Sequence, residues 1–177
     1  DKMFLYTGGT TGMPKGVMWQ QEDAWEVTGG GVSTARKAVR PATVEEHANN
    51  MAGLKYQEIQ LPACPLMHGT GLFTAIASIT KGGCIVTLES PSLDTDELWS
   101  TVEKHKVSGI TIVGDAFAKP LLKSLDENPG KYDLSCLRII GSSGVMWSEE
   151  VKEALIEHLP GVTLFDAFGS SEGIGFG

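Results

Sequence analysis

The stretch Tyr6-Thr7-Gly8-Gly9-Thr10-Thr11-Gly12-Met13-Pro14-Lys15-Gly16-Val17 constrains this chain more than any other. Its glycines let a backbone turn tightly and approach a ligand closely. Successive backbone N–H groups in such a turn form a concavity that binds anions. The threonine hydroxyls add donors, and Lys15 adds a point charge suited to phosphate. Apolar segments flank the stretch, so it reads as a loop joining two strands, 3–6 and 17–19. The residues therefore describe a β-hairpin phosphate loop. A ligand-free turn is the plainer alternative, but the density of Thr, Gly and Lys exceeds what a turn requires.

The P-loop of nucleoside triphosphatases demands G-x-x-x-x-G-K-[ST] and opens a helix. Here Pro14 precedes Lys15, Gly16 follows it, and the strand-like Gly-Val-Met-Trp comes next. That pattern is excluded. With 177 residues the chain suits one domain or slightly more. A formal net charge of −8 argues against nucleic-acid partners. Cys64, Cys84 and Cys136 are widely spaced, with no C-x-x-C. They read as free buried thiols of a reducing, cytoplasmic compartment, not as a disulfide framework or zinc site. No secretory leader or membrane-length apolar run is visible. Motifs lie at both ends, so the sequence is expected to be a piece of a longer protein. Its oligomeric state is not legible.

Residues 20–27 suit a helical turn or two, ended by Gly29-Gly30-Gly31. Residues 32–51 are polar and weakly periodic and read as a mobile connection with a short helix near 43–49. From 57 onward, strand and helix patterns alternate. Strands are predicted at 59–63, 84–88, 109–113, 137–140 and 162–165. Helices are predicted at 72–80, 96–105, 120–125 and 149–159. Pro120 is expected to open its helix, and Ser148 to cap the last one. This predicts an α/β fold: a mostly parallel sheet with helices on both faces, preceded by the phosphate-loop hairpin. The division expected is 1–56 for the hairpin and connection, and 57–177 for the α/β part.

In such sheets ligands bind beyond the carboxyl ends of the strands. His68 follows the strand at 59–63, flanked by Gly69 and Gly71. Gly141-Ser142-Ser143-Gly144 follows 137–140, small enough for backbone to pass close to a planar ligand. Asp166-Ala167-Phe168-Gly169-Ser170-Ser171-Glu172 follows 162–165. Phe168 offers an aromatic face, Ser170 and Ser171 offer hydroxyls, and Glu172 is a hard oxygen ligand for Mg²⁺. Asp115 is read as a helix cap, and Trp147 as core packing or the wall of a substrate tunnel.

These motifs, in this order, resemble the adenylate-forming superfamily, which includes acyl-CoA synthetases, luciferases and peptide-synthetase adenylation domains. The opening stretch is similar to its phosphate-loop signature, with Gly8 where serine is usual. Pro65-Leu66-Met67-His68-Gly69-Thr70-Gly71 resembles P-[LM]-x-H-x-x-G. Phe168-Gly169-Ser170-Ser171-Glu172 resembles [YF]-G-x-[ST]-E, whereas Val145-Met146-Trp147 departs from the usual pattern. No F-D-x-S appears at the His68 position, which points to the acyl-CoA synthetase branch.

The resemblance implies an ATP-dependent carboxylate–CoA ligase working through an acyl-adenylate, with a carboxylic acid, ATP and coenzyme A as small-molecule partners. It implies that Thr7, Gly8, Gly9, Thr10, Thr11, Gly12 and Lys15 hold the β- and γ-phosphates. His68 and Gly141–Gly144 would frame adenylate and acyl group. Asp166, Phe168, Gly169, Ser170 and Ser171 would lie at adenine and α-phosphate, and Glu172 would hold magnesium. It further implies a hinge and a lysine-bearing C-terminal domain beyond these residues, so the piece alone is expected not to turn over. A noncatalytic nucleotide-binding module, or a luciferase or peptide-synthetase type, remains the alternative.

Overall fold

The computed structural model describes residues 1–8, 12–28 and 41–176. Gly9, Thr10 and Thr11 of the phosphate loop, and part of the connection at 32–51, lie outside the described residues. The chain opens as predicted with two antiparallel strands, β1 (Lys2–Thr7) and β2 (Lys15–Gln20), in register from Lys2↔Gln20 to Thr7↔Lys15. The short helices α1 (Gln21–Val27) and α2 (Val44–Ala52) follow. At α2, Thr43 Oγ1 accepts the Glu46 N–H at 3.1 Å, while Glu46 Oε2 accepts the Ala42 N–H at 2.8 Å. This reciprocal cap lets a polar segment start a helix.

The remainder alternates: β3 (Ile59–Pro62), α3 (Gly69–Thr80), β4 (Cys84–Ile85), α4 (Thr95–His105), β5 (Gly109–Ile112), α5 (Gly114–Glu127), β6 (Ile139–Ser143), α6 (Glu149–His158), β7 (Thr163–Ser170) and β8 (Gly173–Phe176). The strands form one sheet in the order β4-β3-β5-β6-β7-β8. The first five are parallel, and β8 is antiparallel to β7. The chain moves outward from β3 to β4, then returns past β3 to β5. With right-handed crossovers, that reversal puts α3 on one sheet face and α4, α5 and α6 on the other.

Alternation along the strands sends Leu61, Ile110, Ile112 and Ile140 to the three-helix face. There they pack with Leu98, Trp99 and Val102 of α4, Ala118, Leu121 and Leu125 of α5, and Val151 and Leu155 of α6. Trp147 belongs to this core and is only 3% exposed, which decides its role as packing. On the other face a smaller cluster joins Leu5 and Trp19 of the hairpin, Ala24 of α1 and Phe73 of α3.

Several boundaries differ from the sequence reading. The strand at 84–88 is only two residues long. Its ladder ends where Val86 donates to the Gln60 carbonyl, and the Glu97 carboxylate then takes the amides of Glu89 and Ser90. Pro120 lies inside α5, not at its start. The helix begins at Gly114, whose N–H donates to Ser142 Oγ at 2.9 Å. Its buried face of Ala118, Leu121, Ser124 and Leu125 carries it past the proline, which sits on the exposed side. Asp115 caps no amide of its own helix: its Oδ1 accepts both the Ser148 N–H (2.9 Å) and the Ser148 hydroxyl (3.1 Å). The Ser148 amide, followed by Lys119, holds the Asp115 carboxyl below the ordinary carboxylate range.

The three thiols are free, but only Cys64 is buried; Cys136 is half-buried and Cys84 exposed. Burial pushes the Cys64 thiol up to about 11. Near pH 8, iodoacetamide is therefore expected to label Cys84 and spare Cys64, because the thiolate is the reactive form. Peptide mass spectrometry reads the outcome, and equal labelling would contradict the buried placement.

Candidate functional site

Strand parity builds the site. The pairs Gln60↔Gly109, Thr111↔Gly141, Gly109↔Ile139 and Gly141↔Phe165 set these side chains on the face turned to α3. On this face β6 sets Ile139, Gly141 and Ser143, and β7 sets Thr163, Phe165 and Ala167; Gly141, Ser143 and Ala167 are small, so sheet and helix do not close on each other. A cavity of about 630 Å³ lies between them, walled on the helix side by Thr70, Phe73, Thr74, Ala77 and Ser78. Ligand sites are typically about 300–1,000 Å³. At one end the cavity is walled by His68, Ser143 and Gly144, beyond or at the carboxyl ends of β3 and β6, which is where such sheets take ligands.

Most of the sequence-predicted residues meet here. His68, Gly141, Ser142, Ser143, Gly144, Phe168, Gly169, Ser170 and Ser171 all line this cavity. His68 occupies the cap position of α3, and its Nδ1 accepts the Thr70 N–H at 3.3 Å. That bond leaves Nε2 as the ring's donor. A side chain at Gly144 would reach within 3.7 Å of the His68 Cε1, so the bare glycine keeps the imidazole's flank open. Gly144 also has φ 96, a conformation glycine adopts without strain. At Gly141 an added Cβ would lie 2.6 Å from Phe165 Cε1, so the Phe165 ring rests directly on this backbone. Ser142 alternates to the opposite face, where its hydroxyl is spent on Gly114; only its backbone serves the cavity side.

The last motif is arranged differently from its sequence reading. The strand at 162–165 continues as β7 to Ser170, so Asp166 to Ser170 lie within a strand. Pairing with β6 as far as Ser143↔Ala167, and with β8 at Phe168↔Phe176 and Ser170↔Gly173, extends it. Ser171 and Glu172 form the tight turn of the β7–β8 hairpin. Phe168 is exposed at the rim, and the Glu172 side chain is exposed at the turn. Asp166 alternates away from the cavity and accepts a 3.0 Å bond from Lys152 Nζ of α6.

The phosphate loop is tied to this hairpin at its base. Trp19 Nε1 donates to the Ser171 carbonyl at 2.9 Å, and the Trp19 ring meets Phe73 edge-on at 5.7 Å. Lys15 lies four residues from Trp19 along β2, roughly 13 Å at the usual strand rise. Thr7, Gly8, Gly12, Lys15, Asp166 and Glu172 stand outside the cavity lining. Among the described residues no three His, Cys, Asp or Glu side chains gather into a metal site, at Glu172 or elsewhere. One carboxylate beside serine hydroxyls fits magnesium that arrives with a triphosphate and keeps phosphate and water ligands.

Sequence reading missed Gln60, Thr111 and Ser78, which line the cavity. The signal was present: a polar residue at alternate positions of otherwise apolar strands, Ile-Gln-Leu-Pro and Gly-Ile-Thr-Ile.

The fold and cavity define a doubly wound α/β domain with a cavity framed by glycine-rich backbone and serine residues. The family model for "AMP-binding enzyme" matches residues 3–177, and the chain belongs to that family. It is 40% identical, over its whole length, to a 3-oxocholest-4-en-26-oate–CoA ligase of Rhodococcus rhodochrous, and covers 32% of that protein. It is 37% identical to the medium-chain acyl-CoA ligase Mig of Mycobacterium avium, with 97% of the chain and 31% of that protein covered. The chain thus spans about a third of the length of these curated relatives. Among solved structures, a long-chain-fatty-acid–CoA ligase from Archaeoglobus fulgidus superposes with a TM-score of 0.72 at 19% identity, over 96% of this chain and 31% of that one. A luciferase-like enzyme from the mealworm Zophobas morio gives 0.71 at 19%, over 97% and 35%. These two likenesses concern the fold.

Proposed function

We propose that the protein carrying this chain is an ATP-dependent carboxylate–CoA ligase acting through an acyl-adenylate. The observation that carries this reading is the single cavity into which His68, the Gly141–Gly144 backbone and Ser170–Ser171 all open. Three stretches distant in sequence converge there with the donors and bare backbone that an adenylate needs. In the first step a carboxylate oxygen attacks the α-phosphorus of ATP, and the bond to the β-phosphate oxygen breaks, releasing pyrophosphate. In the second a thiol attacks the acyl carbonyl and AMP leaves.

Thr7, Gly8, Gly9, Thr10, Thr11, Gly12 and Lys15 hold the β- and γ-phosphates by backbone N–H groups, hydroxyls and one ammonium. Ser170 and Ser171 donate to the α-phosphate, and Phe168 covers the adenine. His68 Nε2 donates toward the carboxylate or the adenylate oxygens. Catalysis by these groups is positioning and electrostatics. Magnesium, when bound with ATP, neutralises charge on the phosphate oxygens, and Glu172 is the carboxylate that would hold it. Asp166 is left with a structural part, through Lys152. Coenzyme A is the thiol partner.

Names of the relatives include a steroid carboxylate and medium- or long-chain fatty acids as substrates; we infer an acid of that bulk for this cavity. No helix among the described residues is long and apolar enough to cross a membrane. The free thiols support a cytoplasmic setting.

With the full-length protein, a fatty or steroid acid, ATP and coenzyme A are expected to yield acyl-CoA, AMP and pyrophosphate in equal amounts. Acids of graded length define the range. ATP binding without pyrophosphate release for any acid would sink the ligase reading and leave a noncatalytic nucleotide module.

A further inference from the structure

One end of the cavity is polar in a way that an apolar acyl chain does not use. Along α3 the helical repeat puts Thr70, Thr74 and Ser78 on one stripe facing the sheet. Thr70 stands beside His68 at the strands' carboxyl ends. Ser78 is ten residues past His68, roughly 15 Å along the helix. At that far end Gln60 reaches across from β3, and its Nε2 donates to Thr111 Oγ1 at 2.7 Å. Gln60 is 4% exposed and Ser78 is 3% exposed. Gln60 Oε1 and Ser78 Oγ are buried without a hydrogen-bond partner.

Buried polar atoms are ordinarily satisfied, because leaving one unmade forfeits its hydration. Two such atoms line one cavity, whereas the neighbouring hydroxyl on the same stripe is satisfied: Thr74 Oγ1 donates to the Thr70 carbonyl at 2.7 Å. Two glycines make space for them. A Cβ at Gly109 would fall 2.1 Å from Gln60 Oε1, and one at Gly83 would fall 2.6 Å from Ser78 Oγ. The nearby rim carries charges of both signs, Glu58 and Lys81. That mixture favours a neutral polar group over a second carboxylate.

We propose that Gln60 and Ser78 form a specificity subsite that hydrogen-bonds a neutral oxygen function, a hydroxyl or ketone, at the end of the acyl group remote from its carboxyl. The proposal rests on the ligase reading for which end of the acid enters first. A hydroxyl donates to Gln60 Oε1 and accepts from the Ser78 hydroxyl. A ketone accepts from Ser78, and from Gln60 Nε2 if the amide turns over and takes the Thr111 hydroxyl instead. The turns needed at a terminal amide and at a serine hydroxyl are soft. An unsubstituted chain end leaves both groups unpaired, and sites built for a hydroxyl discriminate strongly against the analogue lacking it.

The test uses the full-length protein and two pairs of long acids: methyl-ended against ω-hydroxy, and methyl-ended against ω-1 keto. Binding is measured by titration calorimetry without ATP, and turnover by pyrophosphate release. Wild type is expected to prefer the oxygenated acid by about tenfold or more in Kd and in kcat/KM. Ser78→Ala and Gln60→Met are expected to erase that preference, chiefly by improving binding of the methyl-ended acid, while melting temperatures stay equal to or above wild type. A loss of preference in binding supports the subsite even if no acid is turned over, which would defeat only the ligase reading. Equal binding of both acids by wild type, or a preference untouched by both variants, would overturn the subsite. If a dicarboxylic acid outcompetes both, the neutral-group assignment is overturned as well.

Discussion

Replacing Glu172 by alanine in the full-length protein is expected to lower ATP-dependent pyrophosphate release by about 10²–10³-fold, the usual scale for removing one preorganised charge partner from a transition state. The carboxylate stands at the turn between β7 and β8, exposed. Its backbone neighbour Ser171 is gripped by the Trp19 indole, so truncating the side chain leaves the turn in place. The melting temperature should therefore not move beyond the small range of surface substitutions. Raising magnesium should recover part of the Glu172→Asp rate and little of the alanine rate, since aspartate keeps a carboxylate one methylene short. An alanine variant with an undiminished pyrophosphate burst would remove the metal role from Glu172.

The second large effect concerns the fold under the site. Gly114→Ala is expected to destabilise the domain by about 3 kcal/mol, combining left-handed strain with overpacking. Gly114 has φ 53, and an added Cβ would lie 2.4 Å from the Met146 carbonyl oxygen and 2.5 Å from Val145 Cγ2. The nearer contact is backbone, so no rotamer change relieves it. The same carbonyl accepts the Asp115 N–H at 3.2 Å, and Asp115 in turn holds Ser148. Displacing Gly114 therefore disturbs the whole connection from Gly144 to α6, and with it the backbone that lines the cavity. Urea unfolding measures the change. Gly161→Ala is the control: nothing lies within 4 Å of its added Cβ, and its effect should stay within about 0.5 kcal/mol. Similar shifts for the two variants would contradict the contact at Gly114.

Much of this architecture was legible because the parallel strands are apolar runs punctuated by glycine, and helices such as α4 carry their own signals. There Asp94 accepts the amides of Asp96 and Glu97, as the acidic start of the segment suggests. What escaped was set by partners distant in sequence. Phe168-Gly169-Ser170 has no strand pattern of its own and is extended only because β6 and β8 flank it. Pro120 looked like a helix start because the cause of the earlier start, the Ser142 hydroxyl on Gly114, lies 28 residues away. Cys84 was expected to be buried, yet its strand is the short edge of the sheet. At the site, small residues and signature order revealed the carboxyl-end groups. Gln60 and Ser78 stayed hidden, because a single polar residue within an apolar run shows its face only once the register is known.

The indole bond from Trp19 to Ser171 spans 152 residues of sequence. Loop-closure entropy makes such a contact one of the last to form, after the strands between have paired. The β1–β2 hairpin and the β7–β8 turn are thus brought together by completion of the sheet, not by either motif alone. A ligand touching both would act as a clasp across that span of sequence, resisting the separation of β2 from the β7–β8 hairpin.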